Sequence, residues 1–165
     1  MFQKILVALD GSSLGEHVFE KALSLAKKMD AAMLLLHVLT PMEEGYPMPA
    51  VYPGPDSVYP GNDEAILIFA QQWKDFEKRG LEMLQKLNDQ ALAAELMSEF
   101  TQNTGDPGHV ICKVASSWGA DLIVVGRRGR SGLSELILGS ASNYVLHHAP
   151  CSVLALQGKI LESES

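Results

Sequence analysis

Two kinds of hydrophobic pattern alternate along this chain: short, nearly unbroken apolar runs, and longer segments with apolar residues every three or four positions. The runs read as buried strands and the spaced segments as amphipathic helices. Lys4–Leu9 is the first run, closed by Asp10-Gly11. Leu14, Val18, Ala22, Leu25, Ala26 and Met29 then mark one helix face over Ser13–Met29, and Ser13 with Glu16 has the spacing of a reciprocal capping pair. Ala32–Leu39 is a second strand, apolar almost throughout; His37 within it reads as a packed strand residue rather than a ligand or base.

Asn62-Asp63-Glu64 opens a long helix, its acidic groups suited to a helix N-terminus, with Ile66, Ala70, Trp73, Phe76, Gly80, Leu81, Leu84 and Leu87 as the expected buried face. Leu92–Phe100 alternates, with Leu96, Ser98 and Phe100 opposite Glu95, Met97 and Glu99, and predicts a third strand at a partly exposed edge. Asp106 caps and Pro107 opens the next helix, whose buried face is Val110, Ile111, Val114, Ala115 and Trp118 and which Gly119 ends. Leu122–Val125 is a fourth strand that stops at Gly126. Ser140 caps a last helix, Ala141–His147, and Ser152–Leu156 is a fifth strand.

Five strands thus alternate with four helices, and each connection is long enough for a right-handed parallel crossover. The expected fold class is α/β, an open doubly wound five-stranded parallel sheet. Pro41–Gly61 breaks the pattern, with six of the eight prolines and three of the four tyrosines, Tyr46, Tyr52 and Tyr59. It reads as a long loop, either a cover over a site on the same rim or a disordered insertion. One domain is expected over residues 1–157, with a frayed polar tail over 158–165.

The 165 residues, 47% of them hydrophobic, suffice for one sizeable core. A net charge of −7 argues against nucleic acid or an anionic membrane surface as the main partner. No apolar run approaches the roughly 18 residues of a membrane span, and Ile5–Leu9 is too short for a secretory signal, so a cytoplasmic protein is expected. Cys112 and Cys151 form neither a metal-type spacing nor a disulfide framework. The adjacent His147-His148 point in different directions on a helix and make a poor metal pair.

Against that acidic background, three of the four arginines, Arg127, Arg128 and Arg130, sit on one loop. The loop follows a strand and leads to a helix start, in the spacing Gly-x2-Gly-x9-Gly-Ser filled by Gly126, Gly129, Gly139 and Ser140. A helix N-terminus offers unpaired N–H groups and a positive dipole end, glycines allow close approach, and arginines add donors suited to phosphate oxygens. The alternative is a solvated basic loop that offsets acidic neighbours. No Gly-Lys-Ser/Thr occurs, so this is not a P-loop. Asp10, just past the first strand, is placed either to accept from ribose hydroxyls or to serve as a turn residue in Asp-Gly.

On these residues, together with KILVALDGS, LLLHV and APCSVLAL, the sequence resembles the universal stress protein family, in particular its ATP-binding branch. The resemblance covers Lys4 to Leu156, apart from the 41–61 insertion. It implies a Rossmann-like sheet of order 3-2-1-4-5, with Asp10 at the ribose and the Val38 backbone at adenine. The site it implies comprises Ala8, Leu9, Asp10, Val38, Gly126, Arg127, Arg128, Gly129, Arg130, Gly139, Ser140, Ala141 and Ser142. It further implies ATP, with Mg or Mn held mainly by the nucleotide phosphates, a homodimer through strand 152–156, and a regulatory stress-response role toward an unidentified protein partner. The alternative activity is slow ATP hydrolysis or phosphotransfer, although no evident general base stands near the phosphates. A dinucleotide oxidoreductase does not fit, because Asp10-Gly11-Ser12-Ser13 is not the glycine fingerprint, and Thr101-Gln102 lacks a receiver's phospho-acceptor aspartate.

Overall fold

The computed structural model describes residues 1–41, 43, 45–48, 63–127 and 139–157. Among these residues five strands, β1 (Lys4–Leu9), β2 (Ala32–Leu39), β3 (Ser98–Thr104), β4 (Leu122–Arg127) and β5 (Ser152–Gln157), alternate with four helices. The helices are α1 (Ser13–Met29), α2 (Asp63–Ala93), α3 (Pro107–Trp118) and α4 (Ser140–His148). The sheet is wholly parallel in the order β3-β2-β1-β4-β5, as expected. The central strands are buried on both faces. Ile5, Val7, Met33, Leu35 and Val124 pack with α1 and α2, while Leu6, Leu34, Leu36, Ile123 and Val125 pack with α3 and α4.

Several boundaries differ from those expected. Ser12, not Ser13, caps α1: its hydroxyl accepts from Gly15 N–H. β4 runs on to Arg127, because Gly126 and Arg127 still pair with Leu156 and Gln157 of β5. Ser140 is the first helical residue of α4 and Gly139 holds the cap position, without a side-chain cap bond. Leu92 belongs to α2, and β3 begins only at Ser98 after a turn in which Glu95 adopts φ 63°.

The expected buried stripe of α2 holds only in its later part. Phe76, Leu84 and Leu87 are buried, while Ile66, Ala70 and Leu81 are exposed. Length explains the difference. A helix of 31 residues spans about 46 Å. The eight residues of β2 span only about 26 Å, so the helix's first turns overhang the sheet. No helix among the described residues is long and apolar enough to cross a membrane.

Candidate functional site

The crevice lies where the strand order reverses. β1 pairs with β4 only from Ile5↔Leu122 to Val7↔Val124. Yet β1 continues to pair with β2 as far as Leu9↔His37, and β4 with β5 as far as Arg127↔Gln157. Ala8, Leu9 and Asp10 therefore part from Val125, Gly126 and Arg127. Divergence of adjacent carboxyl-terminal strand ends is the ordinary ligand position in an open parallel sheet.

Each rim has its own construction. Asp10 Oδ1 accepts from the Ser12 N–H at 3.1 Å and also from the Ser12 hydroxyl, so the aspartate shapes the β1–α1 turn. Gly15 lets the first turn of α1 sit directly on this turn, since a Cβ there would lie 2.2 Å from the Asp10 carbonyl oxygen. On the other rim, a Cβ at Gly126 would lie 3.0 Å from side-chain carbons of Leu14 and Val18. Gly126 thus lets α1 close against β4, a packing role that its place in the glycine spacing did not reveal.

α4 begins at this same end of the sheet. Asn143 N–H makes the bond to Gly139 O, so helical geometry leaves the N–H groups of Ser140, Ala141 and Ser142 without intrahelical acceptors. Ser140 is exposed and Ala141 half-buried. The Ser142 hydroxyl, expected among the donors to a ligand, instead donates to the Gly126 carbonyl at 2.8 Å and ties α4 to β4. Val38 is nearly buried, with its side chain in the α3–α4 layer. Arg128, Gly129 and Arg130 lie outside the described residues, as does most of the 41–61 segment.

The donor set at α4 suits an anion, and a carboxylate on the opposite rim suits hydroxyl donors. Among the described residues, no group of three or more His, Cys, Asp or Glu side chains is arranged to hold a metal ion.

A polar cluster at the same end of β2 was not foreseen. His37 is only 2% exposed, and its ring nitrogens meet Gln102 Oε1 and Glu43 Oε1, each at 2.8 Å. Burial pulls the His37 pKa down, but hydrogen bonds to Glu43 and Gln102 and the charges of Glu43 and Asp10 outweigh it and leave it raised. A histidine in an otherwise apolar strand was the one available signal; nothing marked Glu43 as its partner. Burial raises the thiols of Cys112 and Cys151, in keeping with unreactive packing residues.

Comparison with known proteins agrees with this architecture. The profile of the universal stress protein family matches residues 1–157. Universal stress protein Sll1388 of Synechocystis is 36% identical over 160 residues, covering 94% of this chain and 98% of that protein. The chain belongs to the universal stress protein family. Among solved structures, a universal stress protein in complex with cAMP superimposes with a TM-score of 0.61 at 22% identity, covering 94% of this chain and 97% of that one. An Arabidopsis thaliana family protein with AMP bound gives a TM-score of 0.60 at 24% identity, covering 99% and 97%. At these identities the likeness establishes the fold alone.

Proposed function

We propose that this protein binds ATP in the crevice between β1 and β4 and acts as a nucleotide-dependent regulatory module of the stress response. One observation carries the reading: the Gly-x2-Gly-x9-Gly-Ser spacing starts on the last residues of β4 and finishes on the first turn of α4, so both its described ends border the crevice. The neighbours solved with cAMP and AMP support an adenine nucleotide as the ligand class.

In this reading the Ser140, Ala141 and Ser142 N–H groups, with Gly126, Gly129, Gly139 and the arginines of the loop, hold the phosphates. Asp10 accepts from the ribose, and the backbone of Ala8, Leu9 and Val38 flanks the base. Magnesium or manganese arrives with the nucleotide and takes most of its oxygens from it. The residues around the crevice then serve as a sensor of occupancy and not as a fast catalyst. The protein is also proposed to be a homodimer through residues 152–156, and residues 1–157 to form its single domain.

Calorimetry and thermal unfolding with ATP and magnesium test the reading. ATP at a hundred times its dissociation constant is expected to add about 2.7 kcal/mol of stability. A Gly139→Leu variant should lose that gain. Absence of both heat and thermal shift with the unaltered protein overturns the proposal, while steady phosphate release with many turnovers would move the protein into the hydrolase class.

A further inference from the structure

We propose that His37 is held as an imidazolium and serves as a proton-dependent latch, fastening the segment after β2 to the sheet through Glu43 and releasing it when the imidazole loses its proton. The argument begins with Gln102. Its amide nitrogen donates to the Glu77 carbonyl at 3.0 Å, which turns the amide oxygen toward His37 Nδ1, 2.8 Å away. That nitrogen must therefore carry a proton. The other ring nitrogen faces a carboxylate oxygen of Glu43, also at 2.8 Å, and a carboxylate only accepts. Two acceptors require two N–H donors, and only the imidazolium has both. A neutral ring, in either tautomer, sets a lone pair against an oxygen in a buried site, at the full cost of an unmade hydrogen bond.

The surroundings determine which contact gives way. α2 crosses so closely at Gly80 that a Cβ there would lie 2.1 Å from Gln102 Oε1 and 2.6 Å from His37 Nδ1. The ring cannot swing toward α2, and Gln102 is fixed by the helix carbonyl. Among the described residues, the charged groups facing His37 are Glu43 on the following segment and Asp10 at the end of β1; β3 and α2 present the neutral Gln102 and Gly80. The second Glu43 oxygen is buried with no hydrogen bond among the described residues, where the imidazolium is what holds this carboxylate in place. Glu43 is therefore the partner that leaves.

Its departure frees a defined piece of chain. Glu43 N–H bonds to Thr40 O at 3.0 Å and Tyr46 N–H to Glu43 O at 3.2 Å, while the Tyr46 ring stands edge-on to Trp73 and Phe76. Arg79 lies against Gly45 of the same segment. Glu43 Oε1 also rests beside Gly11, so the latch closes against the β1–α1 turn next to Asp10. The sign follows from the raised pKa of His37. Stability from the latch is complete below the ordinary imidazole range and is lost as pH rises through the folded-state value.

Nitrogen-15 NMR of the histidine rings and amide hydrogen exchange on the full chain without nucleotide test the latch, so the outcome does not depend on ATP binding. At pH about 6, both His37 nitrogens should be protonated. As His37 titrates, protection of the Glu43 and Tyr46 amides, corrected for intrinsic exchange, should fall by about tenfold per pH unit. In Glu43→Gln, whose amide can donate to a neutral ring, that pH dependence should vanish while the fold remains. A neutral His37 at pH about 6, unchanged protection as His37 titrates, or wild-type pH dependence in Glu43→Gln would each overturn the proposal.

Discussion

Replacing Gly15 by alanine is expected to lower unfolding free energy by about 3 kcal/mol, a drop of roughly 6–12 °C in melting temperature for a domain of this size. Helix propensity alone predicts the opposite sign, since alanine is favoured over glycine by up to about 1 kcal/mol in a helix. Packing decides the matter. The added Cβ would meet the Asp10 carbonyl oxygen at 2.2 Å and Asp10 Oδ1 at 2.9 Å, and the nearer obstacle is backbone that cannot rotate aside. Either α1 lifts, loosening Val18 and Phe19 in the core, or the Asp10 turn moves. The second response would also weaken the proposed ribose contact. Gly11→Ala is the matched control: among the described residues its Cβ would find only Glu43 Oε1 at 3.4 Å, an ordinary contact, so a change within about 0.5 kcal/mol is expected. Denaturant unfolding of the two variants measures the contrast. A Gly15→Ala protein as stable as the unaltered one would show that the α1–Asp10 contact is slack.

The alternation of parallel strands and helices was legible because it depends on features the chain states outright, whereas the order of the strands came only with the family resemblance. Strands such as Ala32–Leu39 are apolar on both faces, and Asp106-Pro107 and Gly119 mark both ends of α3 with residues whose backbone preferences fit those places. The turn into β3 had no such mark. Glu95 takes a left-handed conformation that glycine would have advertised, and Ala91 and Leu92 look alike in sequence although one is buried and the other exposed. Choosing between Ser12 and Ser13 as cap requires knowing which hydroxyl reaches Gly15 N–H, a matter of backbone direction. The site was partly legible for a related reason. A glycine spacing records where backbone must come close, but not what approaches. At Gly126 the close neighbours are Leu14 and Val18, and the Ser142 hydroxyl is already bonded to Gly126. The His37–Glu43 pair joins a strand to a segment without periodic pattern, so nothing local announced it.

A Leu154→Lys substitution is expected to convert the proposed homodimer into monomers. β5 ends the sheet, and its outer backbone edge faces no further strand in the described chain. Ser152–Gln157 carries no charge and no proline, the usual protections of a free edge, and Leu154 and Ala155 remain exposed on it. The opposite edge differs. β3 carries Glu99, whose carboxylate is engaged by the Trp118 indole N–H, beside the polar Thr101, Gln102 and Asn103. Edge pairing about a twofold axis would therefore favour β5, where two antiparallel copies cover both sets of open N–H and C=O groups in one contact. Because the interface repeats itself, one substitution acts twice. Leu154 is 37% exposed, so the contact has about a third of its surface left to cover; losing roughly 0.5–1 kcal/mol per copy removes about 1–2 kcal/mol, before any repulsion between the two ammonium groups. That corresponds to a dimer weaker by roughly 5- to 30-fold from burial alone, with the repulsion adding to it. Light scattering across a concentration series reads the change, and circular dichroism confirms that the subunit still folds, as expected for an exposed position. Val153→Pro, which removes a backbone donor from the strand, should have the same effect through a different atom. An unaltered protein that already runs as a monomer at micromolar concentration would refute β5 pairing, and a lysine variant that stays dimeric would move the interface elsewhere on the surface.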